Sequence, residues 1–127
     1  MERIEDTVEL AGRTLSIVRP PDAAELIDED EFERDEFLPY WAELWPSGVA
    51  LARAAERLVA PGERALELGC GLGVASIAAA LAGARMLATD WATEALEFTR
   101  ENAGRNNAQV ETALVRWDEP EPLLEQA

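Results

Sequence analysis

The sequence of 127 residues contains no histidine and only one cysteine, Cys70. Without histidine, the chain lacks the side chain that most often binds zinc and most often serves as a general base. A single cysteine can form neither an intramolecular disulfide nor a cysteine-based metal cluster. Lysine is absent too, because all 11 basic residues are arginines, and the phosphate-binding P-loop requires a lysine. We therefore expect no metal site and no P-loop chemistry.

Acidic residues outnumber basic ones by 26 to 11, which gives a formal net charge of -15. Nucleic acid is not an expected partner, because such a chain would repel its phosphate backbone. The acidity either attracts a basic substrate or keeps the surface solvated. The second interpretation is favoured, because net charge bears mainly on solubility.

The longest apolar stretch, Val74 to Ala82, is interrupted by Ser76 and is too short to cross a bilayer. The first residues, Met1 to Asp6, lack the basic and apolar regions of a secretory signal. We expect a globular cytoplasmic chain with no membrane partner.

Three segments precede the central part of the sequence. Thr7 to Val18 alternates in polarity around a turn at Ala11-Gly12-Arg13, which predicts a β-hairpin. Residues 22–36 hold nine acids and one arginine, as expected of an exposed connector. An aromatic-rich segment, Phe37 to Gly48, comes next, with Ser47 or Gly48 as the expected cap of a helix from about Val49 to Val59.

From Arg64 onward the pattern alternates between strand and helix. The predicted elements are a strand at Arg64–Leu68, a helix at Val74–Leu81, a strand at Arg85–Thr89, a helix at Thr93–Arg105 and a strand at Val110–Val115. This order is typical of an α/β fold with a parallel sheet and right-handed crossovers.

A glycine loop joins the first of these strands to its helix. Gly69, Gly71 and Gly73 allow a tight turn and a close approach of a ligand to the backbone. The dinucleotide fingerprint requires glycine or alanine at the sixth position, where this chain has Val74. Glu67, two residues before the loop, would repel a pyrophosphate and suits a cationic ligand, although a solvent-facing strand residue is the alternative.

Asp90 ends the second strand, 17 residues after Gly73. An acid at about this distance accepts hydrogen bonds from ribose hydroxyls in nucleotide-binding α/β folds. Trp91 and Trp117 are each expected either to contact an adenine or to pack in the core. Asp118 could accept a hydrogen bond from the adenine amino group, although a solvated loop acid is the favoured interpretation. Cys70 is interpreted as a small space-filler within the loop, because nothing is available to activate it.

The run Glu67-Leu68-Gly69-Cys70-Gly71-Leu72-Gly73, followed by Asp90, resembles class I S-adenosylmethionine-dependent methyltransferases. The segment Pro39-Tyr40-Trp41-Ala42-Glu43-Leu44-Trp45-Pro46-Ser47-Gly48 is similar to the seven-strand protein-lysine methyltransferase family, whose bacterial members are often described as nicotinamide N-methyltransferase-like. The resemblance implies a Rossmann-like sheet with helices on both faces, preceded by the hairpin. It also implies S-adenosylmethionine as cofactor and N-methylation of a protein lysine or a small amine.

In that family the Trp-Pro segment closes over the cofactor, which places Trp45, and with it Glu43, at the site. Residues 1–48 then form the hairpin, connector and lid, and residues 49–127 form the first half of the cofactor-binding domain. The expected cofactor-binding residues are Trp45, Glu67, Gly69, Gly71, Gly73, Asp90, Trp91 and Trp117.

The family continues with further strands, so the catalytic residues are expected beyond Ala127. The first strand of the sheet would then have an open edge through which the chain could self-associate. Two other function classes remain: a non-catalytic nucleotide-binding or interaction module, and half of a nicotinamide-dinucleotide oxidoreductase, which Val74 disfavours.

Overall fold

The computed structural model describes residues 2–21, 40–116 and 118–119. Two elements form the N-terminal hairpin, β1 (Ile4–Glu9) and β2 (Thr14–Arg19), which pair antiparallel. The turn between them is closed by the Leu10 N–H, which donates to the Arg13 carbonyl at 2.8 Å. The predicted hairpin is therefore confirmed, with both strands longer than expected. The acidic connector and the C-terminal tail lie outside the described residues.

A helical turn at Tyr40–Ala42 leads into helix α1 (Pro46–Leu58). The predicted cap at Ser47 or Gly48 is wrong, because both residues lie inside the helix and Trp45 occupies the cap position. Proline explains the earlier start: its fixed φ suits the first helical position, and its missing N–H would have no partner there anyway.

The remaining elements alternate as predicted. They are β3 (Arg64–Leu68), α2 (Val74–Leu81), β4 (Arg85–Asp90), α3 (Thr93–Arg105) and β5 (Val110–Leu114). The three strands form a parallel sheet in the order β3-β4-β5, with Glu67 level with Ala88 and Ala88 level with Thr112. The parallel α/β arrangement is thus confirmed. Within the described residues β3 pairs only with β4 and is an edge strand.

The described helices cover one face of the sheet. Two right-handed crossovers that step in the same direction place α2 and α3 on the same side, and α1 packs on α2. Alternate residues of β3 show the result, since Ala65 and Glu67 are partly buried whereas Leu66 and Leu68 are 51% and 56% exposed. The expectation of helices on both faces is met on this one face only.

The main core lies between the helices and the hairpin. Its buried members come from the hairpin, the glycine loop and the three helices: Val8, Leu15, Ile17, Val18, Ala52, Leu72, Val74, Ile77, Ala78, Phe98 and Ala103. The hairpin is held to α3 at the surface as well, where Arg3 forms an ion pair with Glu101 at 2.9 Å and its guanidinium lies 4.7 Å from the centre of the Phe98 ring. The hairpin therefore packs in the same core as the three helices.

Of the helices in the described part of the chain, none combines the length and apolar character that a bilayer crossing needs. Residues 2–21, 40–116 and 118–119 also contain no group of three or more acidic or cysteine side chains placed to hold a metal ion.

Candidate functional site

A cavity of about 600 Å³ opens at the carboxyl end of the sheet, where the glycine loop joins β3 to α2. Ligands of open parallel α/β sheets bind at this end of the strands. The cavity is walled by the glycine loop, by the end of β4 and by the aromatic segment that leads into α1. Its polar and aromatic lining residues are Tyr40, Trp41, Glu43, Trp45, Ser47, Glu67, Asp90 and Trp91.

The glycine loop adopts a backbone conformation that side chains disfavour. Gly71 and Gly73 have φ values of +57° and +89°, in the region that glycine occupies without steric cost. A Cβ at Gly71 would lie 3.3 Å from the Trp41 carbonyl oxygen, whereas a Cβ at Gly73 would lie 2.9 Å from Thr99 Cγ2. Gly71 therefore allows the aromatic segment to approach the loop, and Gly73 allows α3 to approach it.

Asp90 fixes the loop from the end of β4. Its side chain is buried, and its carboxylate accepts the Gly71 N–H at 3.0 Å and the Ala92 N–H at 3.0 Å. Carboxylate oxygens have several lone pairs, so Asp90 can bind a ligand hydroxyl while it holds the loop.

Glu67 points from β3 towards the covered face of the sheet and reaches the first turn of α2. Its Oε1 accepts the Ser76 hydroxyl at 2.5 Å. Burial raises the pKa of Glu67 from 4.5 to about 7; hydrogen bonds from the Ser76 side chain and backbone oppose this shift, and the nearby charge of Asp90 adds to it. A carboxyl group of this pKa in the cavity wall changes its charge near neutral pH.

The aromatic segment forms the opposite wall. The Trp45 indole N–H donates to the Tyr40 carbonyl at 2.7 Å, and the two rings lie with their centres 6.2 Å apart. Trp45 and Trp91 are 42% and 38% exposed. Both indoles thus have exposed surface that a ligand can cover.

The structure brings most of the predicted site residues together. Trp45, Glu67, Gly69, Gly71, Asp90 and Trp91 all line the cavity. Gly73 does not, because its missing side chain makes room for Thr99 on the opposite side of the loop. Trp117 lies outside the described residues, so its expected contact with an adenine stays a prediction.

Asp118 and Cys70, which were not predicted to be cofactor-binding residues, lie in environments that fit their expected roles. Asp118 is exposed and its carboxylate lies 3.4 Å from Arg116 Nε, consistent with a solvated loop acid. The Cys70 thiol is buried and lies 3.3 Å from Thr99 Oγ1, and burial raises its pKa to about 12. An un-ionised thiol is a poor nucleophile, so the interpretation of Cys70 as a space-filler is consistent with its environment.

Sequence reasoning missed the polar residues that support the loop. Ser76 on α2 and Thr99 and Asn102 on α3 all bond to the loop or to Glu67. Thr99 and Asn102 lie three residues apart, on the same side of α3. The sequence signal that could have found them is a pair of polar residues at helical spacing on an otherwise apolar helix face, because buried polar groups need hydrogen-bond partners.

A larger open groove of about 1450 Å³ lies at the opposite, amino end of the strands. Arg64, Arg85 and Arg100 are among its lining residues, and no residue of the glycine loop reaches it. Its position at the amino end of a parallel sheet, away from the loop, makes it the weaker candidate despite its volume.

The chain resembles known methyltransferases in sequence. A family model of the ribosomal protein L11 methyltransferase (PrmA) matches residues 49–126. The electron transfer flavoprotein beta subunit lysine methyltransferase of Xenopus laevis is 46% identical over 94 residues, which are 68% of this chain and 38% of that protein. The ribosomal protein L11 methyltransferase of Symbiobacterium thermophilum is 38% identical over 68 residues, which are 53% of this chain and 22% of that protein. The chain thus spans well under half the length of these relatives.

Solved structures show the same fold. The 16S rRNA N2 G1207 methyltransferase (RsmC) of T. thermophilus, solved with AdoMet and guanosine, superposes with a TM-score of 0.70 at 16% identity, over 98% of this chain and 30% of that one. Because that relative in fold acts on RNA, the comparison gives no support to the exclusion of nucleic acid, which rests on charge alone. The expected resemblance to methyltransferases is confirmed: the chain belongs to the ribosomal protein L11 methyltransferase (PrmA) family.

Proposed function

We propose that the cavity beside the glycine loop binds S-adenosylmethionine, and that this chain forms the cofactor-binding part of a protein N-methyltransferase. One observation carries the proposal. The described residues that line the cavity include three carboxylates, Glu43, Glu67 and Asp90, and four aromatic rings, Tyr40, Trp41, Trp45 and Trp91, but no basic residue. Carboxylates and aromatic faces both attract cations.

The chemistry of the wall suits this cofactor better than a dinucleotide. S-adenosylmethionine has a sulfonium and an amino group and no phosphate. A helix N-terminus beside a glycine loop normally attracts phosphate, but here Glu67 already provides a carboxylate at the first turn of α2. A pyrophosphate at this position would meet a like charge. The volume of about 600 Å³ is within the ~300–1,000 Å³ range of small-molecule sites.

Each wall residue then has a role. Gly69 and Gly71 allow the ligand to approach the backbone, and Asp90 accepts hydrogen bonds from the ribose hydroxyls. In its ionised form, which a nearby cation favours, Glu67 balances the positive charge of the ligand. Trp45 and Trp91 cover it, and for Trp117 we keep the proposed contact with the adenine.

When bound, S-adenosylmethionine supplies a methyl group on a good leaving group, so the protein mainly has to position the acceptor. We propose a protein nitrogen, a lysine amine in particular, as that acceptor, with a small amine as the alternative. The names of the Xenopus laevis and Symbiobacterium thermophilum relatives both specify proteins as substrates. We assign no catalytic residue in this chain.

Calorimetry with S-adenosylhomocysteine, S-adenosylmethionine and NAD⁺ tests the proposal. We expect S-adenosylhomocysteine and S-adenosylmethionine to bind and NAD⁺ to give no heat of binding. Binding of NAD⁺ alone would overturn the assignment in favour of an oxidoreductase.

A second assay tests transfer, with a labelled methyl group and with ribosomal protein L11 and the electron transfer flavoprotein beta subunit as trial acceptors. It should use the chain together with any sequence that continues it. Binding of cofactor without transfer to any protein or amine would favour the non-catalytic module.

A further inference from the structure

Asn102, on α3, lies between the hairpin and the glycine loop and is 0% exposed. Its Oδ1 accepts the Val18 N–H at 2.7 Å, and its Nδ2 donates to the Val18 carbonyl at 3.1 Å and to the Leu72 carbonyl at 2.9 Å. The reverse amide orientation would place donor against donor at Val18. The observed orientation satisfies both amide hydrogens, so one buried side chain joins β2 to the loop.

The same helix holds the loop at a second point. Thr99 Oγ1 donates to the Gly71 carbonyl at 2.9 Å, and the close approach of Thr99 to Gly73 leaves no room between helix and loop. Gly71 is therefore held by α3 through its carbonyl and by Asp90 through its N–H. A shift of α3 or of Asn102 must move the backbone that faces the ligand.

We propose that Asn102 is a positioning residue that couples docking of the N-terminal hairpin to the conformation of the glycine loop. Hairpin docking orients the Asn102 amide, and that amide holds the Leu72 carbonyl next to the ligand site. Coupling between two sites is reciprocal, so a ligand on the loop stabilises the docked hairpin. This inference rests on the proposed function for the identity of the ligand.

Asn106, the residue that caps the C-terminus of α3, provides a matched control. Its Oδ1 accepts the Ser16 N–H at 2.9 Å, and its Nδ2 donates to the carbonyls of Ser16 and Asn102 at 2.8 Å each. Both asparagines thus hydrogen-bond to the backbone of β2 in the same way, Asn106 at Ser16 and Asn102 at Val18. Asn106 differs in that its remaining hydrogen bond goes to α3 and not to the glycine loop. Replacing Asn106 removes hairpin bonds of the same kind, while Asn102 still holds the hairpin at Val18 and the loop at Leu72.

The experiment compares Asn102→Ala and Asn106→Ala in the 127-residue chain, with S-adenosylhomocysteine as the probe. We expect Asn102→Ala to weaken binding roughly 10-fold, as for a buried carbonyl that loses its partner, and Asn106→Ala to change it by less than about 2-fold. Equal losses in the two variants would overturn the coupling. Failure of the unmodified chain to bind would overturn the proposed function instead.

Hydrogen exchange at the Ser16 amide gives a second readout that a purely structural role would not change. Adding S-adenosylhomocysteine to the unmodified chain should slow this exchange, because the ligand and the docked hairpin stabilise each other. In Asn102→Ala the ligand should leave Ser16 exchange unchanged, although the bond to Asn106 is retained. A ligand effect of the same size in both proteins would contradict the proposal.

If Asn102→Ala does not fold, Thr99→Val keeps the test decisive. This nearly isosteric change removes the bond to the Gly71 carbonyl and leaves the hairpin bonds in place. We expect weaker binding of S-adenosylhomocysteine, with the ligand effect on Ser16 exchange retained at saturation. Loss of that effect in Thr99→Val would show that the coupling does not run through Asn102.

Discussion

The carboxylate of Asp90 and the backbone N–H of Gly71 are 3.0 Å apart and form a hydrogen bond across the mouth of the cavity. The second carboxylate oxygen accepts the Ala92 N–H. Asp90, which the sequence predicts only as a ribose ligand, therefore also holds the glycine loop in place through a hydrogen bond. Its loss should weaken ligand binding and stability together.

Asp90→Ala should weaken binding of S-adenosylhomocysteine by about 1.5–3 kcal/mol, the range for hydrogen bonds to a charged group. It should also lower the free energy of unfolding, because two backbone N–H groups lose their acceptor. Titration calorimetry and urea denaturation measure the two effects. Glu94→Ala is the control, since it removes an exposed acid from the first turn of α3. Unchanged affinity in Asp90→Ala would reduce Asp90 to a purely structural acid.

Glu67 predicts a pH dependence of stability. Its pKa is raised to about 7 in the folded chain, so the folded state binds the proton more tightly than the unfolded state. This contribution is fully present below the ordinary pKa of 4.5 and is lost as the pH rises through about 7. The difference in unfolding free energy between the unmodified chain and Glu67→Gln should fall by about 3 kcal/mol between pH 4 and 8.

Urea denaturation of both proteins across this pH range measures the Glu67 effect, and taking the difference cancels the titration of other acids. A difference that stays constant with pH would mean that Glu67 has the same pKa in the folded and unfolded chain. Ser76→Ala is a useful companion, because removal of the hydroxyl that stabilises the carboxylate should raise the pKa of Glu67 further.

Substitutions in the glycine loop should separate binding from folding. Gly71→Val places a side chain in the cavity, against the Trp41 carbonyl, and should abolish binding of S-adenosylhomocysteine. Gly73→Ala places a methyl group against Thr99 in the buried contact with α3 and should mainly lower the melting temperature. Gly104→Ala, in an open helical position, should instead stabilise the chain by roughly 0.5–1 kcal/mol. Normal affinity in Gly71→Val would show that the glycine loop is not part of the binding site.

The exposed face of β3 predicts self-association of the isolated chain. In the part of the chain that the structure describes, β3 is an edge strand, and Leu66 and Leu68 lie on its exposed face. The outer N–H and C=O groups of an edge strand can pair with another chain. Leu66→Gln with Leu68→Gln should reduce association in sedimentation velocity, whereas Leu58→Gln, an exposed leucine at the end of α1, should not. A monodisperse unmodified monomer with strongly protected β3 amides would contradict the prediction.

Local patterns predicted the β3–loop–α2 unit almost residue by residue, because strand alternation, glycine spacing and helix periodicity all act over a few positions. The start of α1 was wrong because a serine or glycine cap was favoured over a proline at the first helical position. The bond from Glu67 to Ser76 was not predicted, since no spacing rule links a strand carboxylate to the next helix. The hydrogen bonds of Asn102 could not be predicted from local patterns either, because they depend on where a hairpin that is distant in sequence docks.

The hydrogen bonds between Val18 and Asn102 join positions that are 84 residues apart in the chain. At a synthesis rate of roughly 5–20 residues per second, the ribosome needs roughly 4–17 s to make that interval. A two-stranded hairpin on its own is at best marginally stable in water. During those seconds Leu15 and Ile17, which are buried in the finished fold, lack α3, the helix that packs on β2. The hairpin strands are therefore made before the helix that secures them, and a nascent chain that stalls before α3 exposes the apolar face of the hairpin to chaperones.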